Sequence, residues 1–148
     1  MKIRKATIAD FDELYSLGKN TPELIVSADE EFMEANTFKG FITDKNCVFL
    51  LAESEGRIAA FILAHTEWVN IIVKDKYAYL CYLAVAPEFR RHGIATKLYS
   101  ECITKLKEKG ATSIYSWANA DSDDSIVHFL KKQGFAKGHE YIWMDRKL

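Results

Sequence analysis

Apolar and polar positions change period several times along this chain, and each change marks an element. Residues 2–6 read as a short first strand. Ile8, Phe11, Leu14, Tyr15 and Leu17 then recur near helical spacing, with Gly18 close to the stop. Ser27 followed by Glu30 has the pattern of a capping box and predicts a second helix, with Phe32, Ala35 and Phe38 on its buried side. Cys47–Glu53 is rich in Val, Phe and Leu, Glu55-Gly56 is a turn signal, and Ile58–His65 follows as the partner strand. Tyr77–Val85 is almost continuously apolar, as a central strand should be, and it stops at Ala86-Pro87.

The second half alternates. A long helix is predicted from about Gly93 to Lys109, with Ile94, Leu98, Cys102, Ile103 and Leu106 at the helical period and Gly110 after its end. Ser113–Trp117 reads as a short strand. Asp123 or Asp124 can cap a further helix carrying Ile126, Val127, Phe129 and Leu130, closed by Gly134. Tyr141–Leu148 reads as a last strand. Hairpins in the middle and strand–helix alternation afterwards predict an α/β layer: a mixed, mostly antiparallel sheet flanked by helices.

Composition narrows the picture. At 148 residues and 49% hydrophobic, the chain suits one domain, 1–148, with a sizeable core. A net charge of -1 argues against a nucleic-acid binder and gives no attraction to an anionic membrane. Cys47, Cys81 and Cys102 are odd in number and fit no zinc spacing, which favours a reducing compartment. The N-terminal residues are charged where a signal peptide needs an apolar run, and no stretch is long and apolar enough to span a bilayer. The expectation is a cytoplasmic protein without a metal; no His/Cys cluster stands out along the chain.

The chemistry concentrates in Leu83-Ala84-Val85-Ala86-Pro87-Glu88-Phe89-Arg90-Arg91-His92-Gly93-Ile94-Ala95-Thr96. A buried strand ends and a helix begins within a few residues. The first N–H groups of a helix have no internal acceptor and, with the helix dipole, attract anions. Gly93 lets a phosphate approach the backbone, Ala95 keeps the next turn open, and Arg90 and Arg91 add charge-assisted bonds. Taken alone, Arg-x-x-Gly-x-Ala also occurs as a solvated loop. Its place between a buried strand and a long amphipathic helix singles it out.

Arg90-Arg91-His92-Gly93-Ile94-Ala95 resembles the Arg/Gln-x-x-Gly-x-Gly/Ala pyrophosphate motif of the GNAT acetyltransferases. Leu83-Ala84-Val85 resembles the bulged strand that pairs with pantetheine in that family. Phe129-Leu130-Lys131-Lys132-Gln133-Gly134-Phe135 resembles its downstream helix, and Glu55-Gly56-Arg57-Ile58-Ala59-Ala60-Phe61 its central hairpin. The resemblance implies a GNAT-like fold and direct transfer of an acetyl group from acetyl-CoA to a primary amine of a small molecule, polyamine or peptide. It implies cofactor contacts from Leu83, Ala84, Val85, Arg90, Arg91, His92, Gly93, Ile94, Ala95 and Thr96, and from Asp123 and Phe129 further on. A homodimer is the assembly it suggests. Asp123 stands where many relatives carry Asn, and Leu130 stands where many carry the Tyr that protonates the leaving thiolate. A thiol pKa of about 8.5 makes the thiolate a tolerable leaving group without that acid.

For the base, Tyr79 and Cys81 share one face of the strand entering Val85, and Glu67 and His65 lie near the end of the neighbouring strand. Glu23, Asp29, Glu30, Glu31 and Glu34 make residues 23–34 acidic, suited to a cationic acceptor or to a helix start. Trp68, His139, Tyr141 and Trp143 are aromatic or amphipathic candidates for the acceptor wall. Two other readings stay open: a non-catalytic acyl-CoA-binding or regulatory domain, and a small interaction module. Cofactor binding separates the module from the others, and turnover separates the first two.

Overall fold

The computed structural model describes residues 1–25, 32–70, 75–119, 125–142, 144 and 146, with the backbone alone for 67–70. Five strands form one sheet in chain order: β1 (Lys2–Lys5), β2 (Cys47–Ser54), β3 (Arg57–Asn70), β4 (Asp75–Val85) and β5 (Ser113–Ser116). The first four pair antiparallel, and β5 joins β4 in parallel. β2 and β3 meet through Glu55-Gly56, whose φ values of 54° and 75° give the mirror-image turn that matches strand twist. The expected central strand is interior, between β3 and β5.

Helices α1 (Phe11–Lys19) and α2 (Ala35–Thr43) cover one face of the sheet, and α3 (Ile94–Glu108) and α4 (Ser125–Lys132) the other. Strand alternation divides the core accordingly. Leu50, Ile62 and Leu80 face Leu98, Cys102 and Leu106 of α3, while Phe49, Phe61 and Leu63 face Leu14, Phe38 and Ile42 of α1 and α2. Burying each such Leu, Ile or Phe side chain contributes about 1.5–3 kcal/mol. The long helix thus buries the side its periodicity announced. Among the described residues, no helix is long and apolar enough to cross a membrane.

Several expectations are corrected. The Ser27–Glu30 capping box falls outside the described residues, and α2 starts later, at Ala35. There the Glu34 carboxylate accepts from the N–H groups of Asn36 (2.9 Å) and Thr37 (2.8 Å). Its buried side is Phe38 and Ile42, and Phe32 precedes it. Ile8 is half exposed in a 3-10 turn before α1, while Gly18 is the penultimate residue of α1, close to its stop as expected. β3 runs past His65 to Asn70. No described residue of 141–148 is in a strand, and Tyr141, Ile142 and Met144 are exposed. An apolar run reports a tendency to be buried, but a strand also needs a neighbouring edge for its N–H and C=O groups.

Candidate functional site

The site begins where two strands part. β5 accompanies β4 from Tyr77, opposite Ser113, to Leu80, opposite Ser116, and then ends. β4 continues five residues further, paired only with β3. At the parting point β4 carries a bulge. Leu63 faces Tyr82 and Ala64 faces Leu80, so Cys81 is the extra residue. A bulge adds local twist and bends its strand, which turns β4 away from β5 and leaves its edge open from Cys81 to Val85. A second extra residue, Glu67, interrupts β3 between Thr66 and Trp68.

Tyr79, Cys81 and Tyr82 line a pocket of about 240 Å³ together with His65 of β3, Phe41 of α2 and Met33. Tyr79 stacks on Tyr115 across the last paired stretch, with centroids 5.1 Å apart. Behind Tyr82 and Met33 stands a set of touching rings: Phe32 lies 5.6 Å from both Tyr15 and Tyr82, and Tyr15 donates its O–H to the Met33 carbonyl at 2.8 Å. Burial pushes the Tyr82 phenol above its ordinary pKa, so it stays protonated at neutral pH.

The loop leaving β4 is tightly wound. A 3-10 turn over Pro87–Phe89 is followed by Arg91 and Gly93, both left-handed, with φ 66° and 74°. Gly93 is the N-cap of α3 and, lacking a side chain, caps nothing; a Cβ built on it meets no atom within 4 Å. The N–H groups of Ile94, Ala95 and Thr96 form the first turn, where a helix has no internal acceptors. Arg91, His92 and Gly93 are exposed around them. Arg90 turns back: its Nε donates to the Val85 carbonyl at 3.0 Å, on the open edge of β4, and its Nη1 lies 3.5 Å from Glu23 Oε1. The other Glu23 carboxylate oxygen is buried without a hydrogen-bond partner.

Beside the pocket stands a cluster that chain spacing did not reveal. Asp44, Cys47 and His65 bring one ligand atom each within 4.8 Å of one another. Cys47 and His65 are direct partners in the β2–β3 ladder, and Asp44 lies in the turn entering β2. The cluster does not stand out along the chain because Cys47 and His65, 18 positions apart, become neighbours only when the hairpin closes. Burial, aided by the Asp44 charge, pushes the Cys47 thiol up to about 12. The Asp44 carboxyl is held below its ordinary value by the Asn46 N–H and, further, by His65.

Of the residues named from sequence, Leu83, Ala84 and Val85 lie on the open-edged end of β4, and Arg90 to Thr96 on the loop and helix start beside it. Ile94 and Ala84 are buried, so only their backbone can meet a ligand. Tyr79 and Cys81, expected on one face of β4, both line the pocket. The Glu67 and Trp68 side chains, Asp123, Trp143 and the acidic Asp29, Glu30 and Glu31 lie outside what the structure describes. Phe129 packs edge-on against Tyr99 on the α3 side, and Leu130 is buried in the core. His139 and Tyr141 are exposed and take no part in the pocket. Met33, Phe41 and Tyr82 were missed. They are ordinary core-type residues whose role comes from the gap beside them.

With this geometry in place, comparison with known proteins gives a consistent result. The family model described as Acetyltransferase (GNAT) family matches residues 10–135. An uncharacterized N-acetyltransferase of Methanocaldococcus jannaschii is 29% identical over 87 residues, covering 59% of this chain but 38% of that relative's own length. An N-alpha-acetyltransferase of Sulfurisphaera tokodaii is 24% identical over 140 residues, covering 90% of this chain and 79% of the relative. The solved structure of an aminoglycoside N-acetyltransferase in complex with CoA shares the fold, with a TM-score of 0.71 at 17% identity over 99% of both chains.

Proposed function

The chain belongs to the acetyltransferase (GNAT) family, and from that premise we propose that it transfers an acetyl group from acetyl-CoA directly to a primary amine. One observation carries the reading: the open edge of β4 from Cys81 to Val85 runs straight into an uncapped helix start. An extended amide-bearing chain ending in a diphosphate fits that arrangement. Its amides can pair with the strand edge, and its phosphates can accept from the N–H groups of Ile94, Ala95 and Thr96. Arg91 adds charge there, and Arg90 can contribute after leaving the Val85 carbonyl.

Acetyl-CoA supplies an activated thioester; the chain supplies position and polarity. In this reading the thioester lies at the Cys81 bulge, and the amine enters through the pocket of His65, Tyr79, Cys81 and Tyr82. Backbone N–H groups between Cys81 and Val85 stabilise the charge that develops on the carbonyl oxygen. Holding the two reactants in line supplies much of the rate. Tyr79 and Cys81 are the proposed proton-handling groups on β4, with Glu67 the remaining candidate on β3. An α-amino acceptor, with a pKa of about 7.7–8.0, needs less help than a lysine-type amine near 10.4. Acceptors in reach of this reading are small amines, polyamines and peptide amines. Residues 1–148 act in it as one catalytic domain, in the cytoplasm, as a homodimer and without nucleic acid or membrane as partner.

The test is a screen of amines and peptides with acetyl-CoA, following release of free thiol and the mass of the acetylated product. Turnover with at least one amine is expected. Acetyl-CoA binding without turnover on any acceptor would move the non-catalytic acyl-CoA-binding reading ahead. That rival rests on Leu130, which is buried and offers no acid to a thiolate.

A further inference from the structure

We propose that Asp44, Cys47 and His65 form a zinc-binding site on the wall of the acceptor pocket, with one carboxylate oxygen, one thiolate and one imidazole nitrogen as ligands and a fourth position open to water. Among the described residues this is the one group of its kind.

The distances suit a shared ion. His65 Nε2 lies 3.4 Å from Asp44 Oδ2, and Cys47 Sγ donates a long hydrogen bond to the same oxygen at 3.7 Å. A charge-assisted N–H···O bond would be about 2.7–2.9 Å. Around zinc, ligand bonds of about 2.3 Å to sulfur, 2.0–2.1 Å to nitrogen and 2.0–2.2 Å to oxygen put tetrahedral N···O and S···O edges at about 3.4 and 3.6 Å. These two separations lie close to those edges, and the sulfur–nitrogen separation is within 4.8 Å. The donor set of thiolate, imidazole and carboxylate also suits zinc better than a hard cation such as calcium or magnesium.

The surroundings hold the ligands in place. The Asp44 Oδ1 atom accepts from the Asn46 N–H at 2.8 Å, which orients the carboxylate and leaves Oδ2 for the ion. The Cys47 N–H donates to the Asp44 carbonyl at 3.1 Å, and the Thr66 N–H and hydroxyl both donate to the Asn46 carbonyl at 3.0 and 3.1 Å. These bonds tie the turn to the end of β3 that carries His65. The thiol is buried at 5% exposure, while the side chains of His65 and Asp44 are 25% and 32% exposed, giving an ion a way in. Binding releases the thiol proton to solvent, so affinity rises with pH. A zinc-held His65 takes no proton from substrate, which keeps proton handling with the other pocket residues. The inference rests on these three residues and not on the acyl-transfer reading.

The experiment uses the full chain, stripped with a chelator and titrated with Zn²⁺ and, for its spectrum, with Co²⁺, without coenzyme A. The expected result is one equivalent of metal, a tetrahedral d–d spectrum and a thiolate-to-cobalt charge-transfer band. Cys47→Ser should lose that band. His65→Ala should weaken binding by at least the roughly 10–100-fold that follows loss of even a supporting partner, and His65→Cys should restore part of it. Cys102→Ala, on the opposite face of the sheet, should change none of this. Wild-type protein without saturable 1:1 binding would overturn the proposal whatever the variants do. So would a charge-transfer band that survives Cys47→Ser and disappears in Cys81→Ala.

Discussion

Arg91 and Gly93 lie two residues apart, and both adopt left-handed backbone conformations, with φ 66° and 74°. Such conformations are uncommon outside glycine, and their pairing on either side of His92 winds the chain sharply between the end of β4 and the start of α3. Strain of this kind concentrates at functional sites. Gly93 has one structural reason to be glycine, its φ, and the proposed cofactor site gives a second, since a side chain would occupy the open space beside the helix start.

Those two reasons separate experimentally. Gly93→Asn keeps a residue that tolerates the left-handed region but adds a side chain beside the helix start. Gly93→Val adds a β-branched group and, by the left-handed penalty of about 1–2 kcal/mol, lowers stability. Both variants should bind acetyl-CoA at least about tenfold more weakly, the equivalent of 1.4 kcal/mol, when measured by calorimetry on folded protein. Only the valine variant should melt markedly earlier. Unchanged affinity in both would remove the helix start from the cofactor site.

Gly18 faces a different constraint. A Cβ there would meet the Phe32 ring, at 2.6 Å from Cε1 and closer still to Cζ. Gly18→Ala gains about 0.8–1.0 kcal/mol of helix propensity, while overpacking a core typically costs about 1–3 kcal/mol. The net expectation is a loss of up to about 2 kcal/mol in denaturant unfolding. Phe32 also touches Tyr82 of the pocket, so the acceptor KM should rise more than the acetyl-CoA KM. An equal rise in both would separate this wall from the acceptor.

Leu130, which by resemblance stands where many family members carry a tyrosine, is buried against the α3 side of the sheet. Leu130→Tyr must place a hydroxyl in that packing and should lower stability by about 1–3 kcal/mol. Turnover per folded molecule should change by less than the 10²–10⁴-fold effect of a positioned acid or base. The pH–rate profile with a good amine should rise as the amine loses its proton, with no limb from an essential tyrosine acid. A gain of two orders of magnitude in the variant would show that the natural chain lacks a needed acid.

Arg4 ties three segments together. Its Nη2 lies 2.7 Å from Asp10 and 2.5 Å from Glu53. Hydrogen bonds from Arg4 hold the Asp10 carboxyl well below the ordinary carboxylate range. A depressed folded pKa stabilises above the unfolded value, about 3.9, and that contribution fades as pH falls from there through the folded value. Asp10→Asn should therefore be less stable than the wild type at pH 7, and the gap should narrow below about pH 4 in acid unfolding curves. A constant gap across that range would assign the loss to the Thr7 N–H contact rather than to charge.

What the sequence determined by itself was local and periodic. The apolar runs Cys47–Glu53 and Ile58–His65, the Glu55-Gly56 turn, and the i, i+4 spacing of Leu98, Cys102 and Leu106 are properties of neighbouring residues. They specified β2, β3 and the buried side of α3. The loop from Arg90 to Thr96 was legible as the link between strand and helix for the same reason, because a helix start is built from consecutive residues. Only the tertiary structure decided where distant segments meet. The Cys81 bulge depends on the register between β3 and β4, and the pocket depends on β5 ending at Ser116 while β4 runs on. Met33, Phe41 and Tyr82 carry no signal of their own, since an aromatic or aliphatic residue beside a gap has the same pattern as one inside a core. Asp44, Cys47 and His65 become neighbours through hairpin closure, a cross-strand relation that spacing along the chain does not encode.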